Sequence, residues 1–263
     1  MWTRYAAVAA ATLALGIAGA ATADDLEQAF AHAAGGHLSR EQTPRWTDVQ
    51  ARASQRAVPA PAKLTKACKN APPPKSGKDI RPAKVRAACT RRDFQKAVDV
   101  ARGGSTIDRM MAVDRAVNAL PYVADSRNWG VADYWETPEE MFTRGGDCEG
   151  FALTKYFALR ELGVRDDAMR IAIVWDRRDL EEHAVLLVRA GGDTWILDNK
   201  TARPVRLADD SERYRLIYHV NGSGARLPDM AESRQRSPAR ARIVDGGRTL
   251  VLKITPRSRR AAG

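Results

Sequence analysis

The apolar residues change from a helical period to a strand period at Gly163, and this change most constrains the fold. Before it, apolar residues recur at helical spacing over residues 94–101 and 107–117. After it, short runs rich in Ile, Val, Leu and Trp predict strands at residues 170–175, 183–190, 194–199 and 215–220. Helices that come first and strands that follow predict an α+β fold with a helical N-terminal part and an antiparallel sheet.

The dipeptide Gly191-Gly192 lies between two of the predicted strands and predicts a tight hairpin. If these two glycines form the whole loop, His183 and Asp198 lie on the same face of the sheet as diagonal neighbours. A loop of one more residue would turn Asp198 to the opposite face. The predicted contact between the two side chains therefore depends on the hairpin register.

Three adjacent signals predict that a short helix begins after Thr137. Thr137 is a good N-cap residue, Pro138 suits the first helical position, and Glu140 completes a capping box. The pair Gly145-Gly146 follows and separates this helix from the next one.

Cys148 lies at the predicted start of that next helix, directly after the N-cap residue Asp147. The partial positive charge of a helix N-terminus favours the thiolate, which is the nucleophilic form of cysteine. The glycines Gly145 and Gly146 let backbone and substrate approach closely. A small cysteine at a helix start is also a common packing residue, so this signal alone leaves both interpretations open.

A nucleophilic cysteine needs a base, and the base needs a group that orients it. His183 is the best placed histidine for the base, and Asp198 is the group that the hairpin brings to it. The remaining histidines lie in the N-terminal part or near the end of the last predicted strand: His32, His37 and His219. A histidine at a strand end and an aspartate before a turn also have purely structural interpretations.

Residues 1–23 have an early arginine, an apolar run and a small-residue site before Asp24, which predicts a secretory signal peptide cleaved after Ala23. Thiols of exported proteins tend to pair. Cys68 and Cys89 flank a Pro-rich stretch that we interpret as an exposed loop, so a disulfide between them is predicted. Cys148 is then the thiol left over.

The formal net charge of +11 is concentrated towards the C-terminus, where residues 226–263 hold ten Lys or Arg and three Asp or Glu. On an exported protein such a tail can contact anionic envelope components, and nucleic acid is not expected as a partner. A solvated chain end is the plainer interpretation of the same charges.

Several motifs occur together: Tyr134-Trp135, the Thr-Pro-Glu-Glu helix start at Thr137, Gly-Asp-Cys-Glu around Cys148, and Leu-Asp-Asn ending at Asn199. Over about residues 92–220 the chain resembles the bacterial transglutaminase-like cysteine proteases. The resemblance implies a papain-like or transglutaminase-like core and a catalytic triad of Cys148, His183 and Asp198. It also implies a periplasmic protease with a protein substrate such as a large surface adhesin, whose release affects biofilm.

The sequence departs from the family pattern beside the catalytic cysteine. The family's Asp-Cys-Glu-Asp is here Asp-Cys-Glu-Gly, with Gly150 in the last position. The family's calcium site is built around these acidic residues, and Asp147 and Glu149 match two of them. Because Gly150 offers no carboxylate, we expect calcium binding that is weak or absent. Ala184 stands where a Met is common, and Trp135 is a candidate wall of the substrate cleft, although an aromatic residue there also suits the core.

Two other functions stay open. A transglutaminase uses the same triad and lets an amine compete with water, and a non-catalytic module could keep the fold and bind an envelope polymer. The predicted organisation is a signal peptide at 1–23, a lead-in with the Pro-rich loop at 24–91, the protease domain at 92–220 and a basic tail at 221–263.

Overall fold

A computed structural model describes residues 24–30, 36–54, 83–210, 212–227, 240–245 and 248–253. The predicted signal peptide, Cys68 and most of the Pro-rich loop lie outside these residues. The chain divides into two units. One holds the described residues up to Leu227, and the other holds a hairpin in the basic C-terminal part.

The first unit begins with helices, as the periodicity predicts. They are α1 Asp24–Glu27, α2 Pro44–Ser54, α3 Ala83–Ala101, α4 Thr106–Asn118, α5 Asp125–Asn128, α6 Pro138–Arg144 and α7 Cys148–Glu161. Three 3₁₀ turns cover Gln28–Phe30, Asp166–Ala168 and Leu207–Asp209. Helix α3 begins earlier than predicted, so residues 83–89 of the supposed exposed loop are helical and Cys89 is buried.

An antiparallel sheet of seven strands follows. Its strands are β1 His37–Leu38, β2 Met169–Asp176, β3 Glu181–Ala190, β4 Asp193–Leu197, β5 Val205–Arg206, β6 Tyr214–Asn221 and β7 Gly224–Arg226. Their order is β1-β7-β6-β2-β3-β4-β5. The second unit contains β8 Arg240–Asp245 and β9 Arg248–Lys253, which pair with each other. The predicted α+β class is therefore confirmed.

The predicted helix start at Thr137 and the predicted hairpin at Gly191-Gly192 are both confirmed. Thr137 and Glu140 form the predicted capping box of α6, with Pro138 at its start. Gly191 and Gly192 both have positive φ, 64° and 87°, as a two-residue hairpin turn requires. The predicted register of β3 and β4 is confirmed, because the last residue of β3 pairs with the first of β4.

Both faces of the central sheet are covered, which explains why its strands are almost continuously apolar. In β3, Ala184 and Leu186 face the helical layer that includes α4 and α7, whereas Val185 and Leu187 face α1 and the turns Gln28–Phe30 and Leu207–Asp209. His183, near the start of β3, and Asp198, directly after β4, are buried as well.

A buried ion pair joins α4 to α7: Lys155 Nζ lies 2.7 Å from Asp114 Oδ1, and the side chains are 0% and 1% exposed. On the same helix α4, Asn118 donates to the backbone oxygens of Asp198 (3.0 Å) and Thr201 (3.4 Å). These contacts fix α7 and the residues after β4 to one helix. Within the described residues, no helix is long and apolar enough to cross a membrane.

Candidate active site

Cys148 is the first residue of α7 and follows a tight connection from α6. Gly145 has a φ of 80°, and a Cβ there would lie 2.4 Å from the backbone oxygen of Pro121, so only glycine fits. The backbone N–H of Val123 donates to the oxygen of Gly146 at 2.9 Å. The two glycines thus serve close packing within the chain, and they hold the start of α7 against residues 121–123.

The thiol of Cys148 is partly exposed and has two neighbours. Its Sγ–H donates to Glu149 Oε2 at 2.9 Å. Burial raises the pKa of Cys148, and the charge and hydrogen bond of Glu149 raise it further, whereas the backbone N–H of Ala184 lowers it. These shifts favour the thiol over the thiolate, so a base must take the proton before the sulfur acts as a nucleophile.

His183 and Asp198 meet as the hairpin register predicts, with His183 Nε2 lying 2.7 Å from Asp198 Oδ1. The side chains are 2% and 0% exposed. Because Asp198 is an ionised acceptor, Nε2 must carry the proton, and the other nitrogen of a neutral imidazole, Nδ1, is then free to accept one.

Besides His183, three other residues contact the carboxylate of Asp198. Tyr214 Oη donates to its Oδ2 at 2.6 Å, the backbone N–H of Lys200 donates to its Oδ1 at 3.0 Å, and Arg213 Nη1 lies 3.5 Å from Oδ2. Burial alone would raise the pKa of Asp198, but the hydrogen bonds from His183, Tyr214 and Lys200 outweigh it and the pKa is lowered. Its charge and orientation are thereby fixed.

The thiol and the imidazole belong to the same site, since Ala184 follows His183 directly and its N–H reaches the sulfur of Cys148. This contact is made by the backbone, so the replacement of the usual Met by Ala184 leaves it intact. The structure therefore brings His183 and Asp198 into contact, and it places the backbone N–H of the residue next to His183 at the sulfur of Cys148. Among the other histidines, His37 is exposed on β1, His219 lies on β6, and His32 is outside the described residues.

Sequence reasoning missed the groups that support this centre. Tyr214 and Arg213 hold Asp198 from the start of β6, but their spacing from it along the chain carries no recognisable signal. The side chain of Tyr122 is 60% exposed, and its backbone forms an isolated β-bridge with Gly146, two residues before Cys148. Trp135, a candidate cleft wall, is instead 4% exposed and packs edge-on against Trp46 in the core.

Asp147 has the backbone position of an N-cap, but its side chain makes no cap hydrogen bond. Instead, Asp147 forms a cluster with Asp125 and Glu136, in which one carboxylate oxygen of each residue lies within 4.8 Å of the others. A second group contains Asp147 with Cys148 and Glu149. Glu149 bonds the thiol, whereas Asp125, Glu136 and Asp147 each keep a buried oxygen without a hydrogen-bond partner.

These carboxylates fit a calcium ion. Calcium–oxygen distances are about 2.3–2.6 Å, so ligand oxygens around one ion lie within about 5 Å of one another. Burial raises the pKa of Glu136 to about 8, and burial with the charge of Glu149 raises the pKa of Asp147 to about 9. Both shifts arise first from burial, and the neighbouring carboxylates add to them.

A cysteine at a helix N-terminus beside a His–Asp pair on an α+β sheet is the arrangement of papain-like and transglutaminase-like enzymes. The model of a family described as bacterial transglutaminase-like cysteine proteinase matches residues 82–221, more than half of the chain. The protein therefore belongs to this family and is a transglutaminase-like cysteine peptidase.

The solved structures that resemble the chain include three of LapG from Legionella pneumophila. Calcium-bound LapG is 24% identical, with 56% of this chain and 81% of that chain covered and a TM-score of 0.48. A second LapG structure is 26% identical over 58% and 87% of the chains, with a TM-score of 0.48. EGTA-treated LapG is 25% identical over 57% and 87%, again with a TM-score of 0.48. A comparison with curated protein sequences gave no significant match.

Proposed function

We propose that the protein is an exported cysteine endopeptidase in which Cys148, His183 and Asp198 cleave a peptide bond by acyl transfer. The observation that carries the proposal is the buried 2.7 Å contact between His183 and Asp198 next to a thiol at a helix N-terminus. A buried His–Asp pair orients an imidazole for proton transfer.

In this mechanism His183 Nδ1 accepts the proton of the Cys148 thiol, and the sulfur attacks the carbonyl carbon of the scissile peptide. The backbone N–H of Cys148 contributes to the stabilisation of the resulting oxyanion. His183 then donates the proton to the leaving amine, and a thioester forms. Water, deprotonated by His183, attacks the thioester and releases the acid and the thiol.

Burial and Glu149 raise the pKa of Cys148, and the proposal therefore assigns the removal of the thiol proton to His183. Asp198 stabilises the imidazolium that this transfer creates, and Tyr214 keeps the carboxylate in place.

The substrate we propose is a protein of the cell surface or periplasm, for which a large adhesin is the model substrate implied by the family. The predicted signal peptide supports export to the periplasm. Calcium belongs to the proposal as well, because Asp125, Glu136 and Asp147 offer the carboxylate oxygens that would hold the ion. A bound ion would add positive charge next to the start of α7.

The test is mass spectrometry of an envelope protein extract after incubation with purified protein in water enriched in ¹⁸O. Wild type should generate new termini, with ¹⁸O in the new carboxyl groups, and Cys148→Ala should generate none. A labelled primary amine in the same reaction reports amide exchange, and its incorporation in place of ¹⁸O would favour a transglutaminase. New termini from Cys148→Ala at the wild-type rate would contradict the mechanism, and their absence from both proteins would favour a non-catalytic module.

A further inference from the structure

A cavity of about 560 Å³ opens at the end of the sheet where β2 begins and β6 turns into β7. Arg170, His219 and Arg226 are among its lining residues. His219 pairs with Arg226 on β7 and with Ala172 on β2, two residues after Arg170. Paired residues share a face and strand residues alternate between faces, so the three side chains lie on one face of the sheet.

This cavity is separate from the candidate active site. His183 pairs with Val174, which is four residues after Arg170 along β2. At about 3.3 Å per residue, His183 lies about 13 Å along the sheet from Arg170. None of Cys148, His183 and Asp198 lines the cavity. A ligand bound there would not contact the thiol.

Two buried groups of the cavity lack the partners that buried groups usually have. His219 is 4% exposed, and its Nδ1 has no hydrogen-bond partner. Arg170 is 7% exposed, and its Nε and Nη1 donate only to neutral backbone oxygens, at 2.7–3.3 Å. Buried polar atoms are almost always satisfied and buried charges are almost always paired. Both groups therefore point to a ligand.

The charges around the cavity favour an anion as that ligand. Within the part of the chain that the structure describes, neither Arg170 nor the half-buried Arg226 forms an ion pair with a carboxylate. Burial lowers the pKa of Arg170, and the charges of Arg189 and Arg226 lower it further, whereas those of Asp166 and Asp167 raise it. An anion between Arg170 and Arg226 would reduce the repulsion between the two guanidinium groups.

The aspartates of the lining offset only part of the positive charge, and both already have partners. Asp167 forms an ion pair with Arg165, and Asp166 accepts hydrogen bonds from Tyr156 Oη and from a backbone N–H. The lining carries three arginines and two aspartates, so its net charge is +1 when the histidine is neutral. A single carboxylate balances this charge, whereas a phosphate dianion exceeds it.

We propose that this cavity binds the carboxylate group of a small organic acid or of a peptide terminus, held by Arg170, His219 and Arg226. A guanidinium group binds a carboxylate with paired N–H donors, and a neutral imidazole donates from Nδ1 in the tautomer that carries the proton there. A cavity of about 560 Å³ has room for more than the carboxylate, because sites for organic ligands measure about 300–1,000 Å³. The site does not depend on the proposed peptidase function, since binding is measured without turnover.

The experiment follows the imidazole signals of the mature protein by NMR, with ¹⁵N-labelled histidine, during titration with N-acetyldiglycine, its neutral amide and propionate. His219→Gln identifies the signal of His219 by its absence. That signal should shift in a saturable manner with the two carboxylates and stay in place with the amide. Tighter binding of N-acetyldiglycine than of propionate would identify a peptide terminus as the ligand, and equal affinities would identify a small organic acid.

Two variants of matched charge test the site. Arg226→Gln removes one guanidinium group, so the affinity for N-acetyldiglycine should fall at least about tenfold. The control Arg203→Gln removes an exposed arginine two residues before β5, at the opposite edge of the sheet, and should bind as wild type. If Arg226→Gln fails to fold, Arg226→Lys takes its place, because it keeps the charge and loses the paired donors, and it should also bind more weakly.

Three results would overturn the proposal. One is a His219 signal that stays in place with both carboxylates at high millimolar concentration. Another is a shift of the His183 signal in place of that of His219, which would assign the binding to the candidate active site. The third is an unchanged affinity in the folded Arg226 variant.

Discussion

The buried ion pair between Asp114 and Lys155 should be essential for stability, although neither residue takes part in catalysis. Burial raises the pKa of Asp114 and lowers that of Lys155, so each charge depends on its partner. Asp114 keeps one weak donor besides the lysine, Asn118 Nδ2 at 3.3 Å. Lys155→Met leaves the aspartate with that donor alone, and Asp114→Leu leaves a fully buried lysine without its ion-pair partner.

Removing one partner of a buried pair costs about 3–5 kcal/mol, whereas replacing both by apolar residues is often close to neutral. Asp114→Leu and Lys155→Met should therefore each lower the free energy of unfolding by about 3–5 kcal/mol, with Asp114→Leu the more harmful. For a domain of this size that is about 6–20 °C in Tm. The double variant should recover most of the loss.

Urea unfolding followed by tryptophan fluorescence measures these free energies and completes the double-mutant cycle. The matched control is the exposed pair of Arg206 and Asp209, whose side chains are 49% and 52% exposed. Asp209→Asn should change stability by less than about 1 kcal/mol. The reasoning is refuted if either buried single variant stays within about 1 kcal/mol of wild type, or if the double variant loses the sum of the two.

Three further predictions concern the site, the pH response and the disulfide. Tyr214→Phe removes a hydrogen bond to the ionised Asp198, so kcat of peptide hydrolysis should fall about tenfold with little change in KM; an unchanged kcat would exclude this supporting role. The pKa of His219 is lowered to about 4 by burial and nearby arginines, so the folded state resists protonation. Stability should thus be unaffected above about pH 6.5 and fall by about 3 kcal/mol as the pH drops to about 4. His219→Gln should flatten that pH dependence in urea unfolding, and an identical slope in both proteins would contradict it. Cys68 and Cys89 should form a disulfide that closes a loop of about 20 residues and contributes about 3 kcal/mol; mass spectrometry without reductant would refute this by finding free thiols at both positions.

The features that the sequence predicted are those with local causes. The capping box of Thr137 and Glu140 and the hairpin at Gly191-Gly192 depend on residues a few positions apart, and both form as expected. The hairpin register then determines that His183 and Asp198 meet, because strand residues alternate between faces. Local patterns in the sequence therefore offered Cys148, His183 and Asp198 as candidates, and the family resemblance favoured a catalytic role for them over a structural one.

The features that the sequence did not predict arise from contacts between distant segments. Asp147 has the position of an N-cap, yet its side chain points to Asp125 and Glu136, and no local pattern indicates that. Tyr214 reaches Asp198 from the start of another strand. Trp135 has the same local surroundings whether it lines a cleft or fills the core, so only the packing against Trp46 decides the matter.

The most direct test of the account is the rate at which an electrophilic, thiol-reactive probe labels Cys148, because it needs no knowledge of the substrate. Wild type should be labelled at Cys148 by a probe with a peptide-like acyl group, and the rate should fall strongly in His183→Ala and less in Asp198→Ala. Peptide mapping by mass spectrometry identifies the labelled residue. Absence of label at Cys148 in the folded wild type, or equal rates in wild type and His183→Ala, would contradict the proposal that His183 activates this thiol.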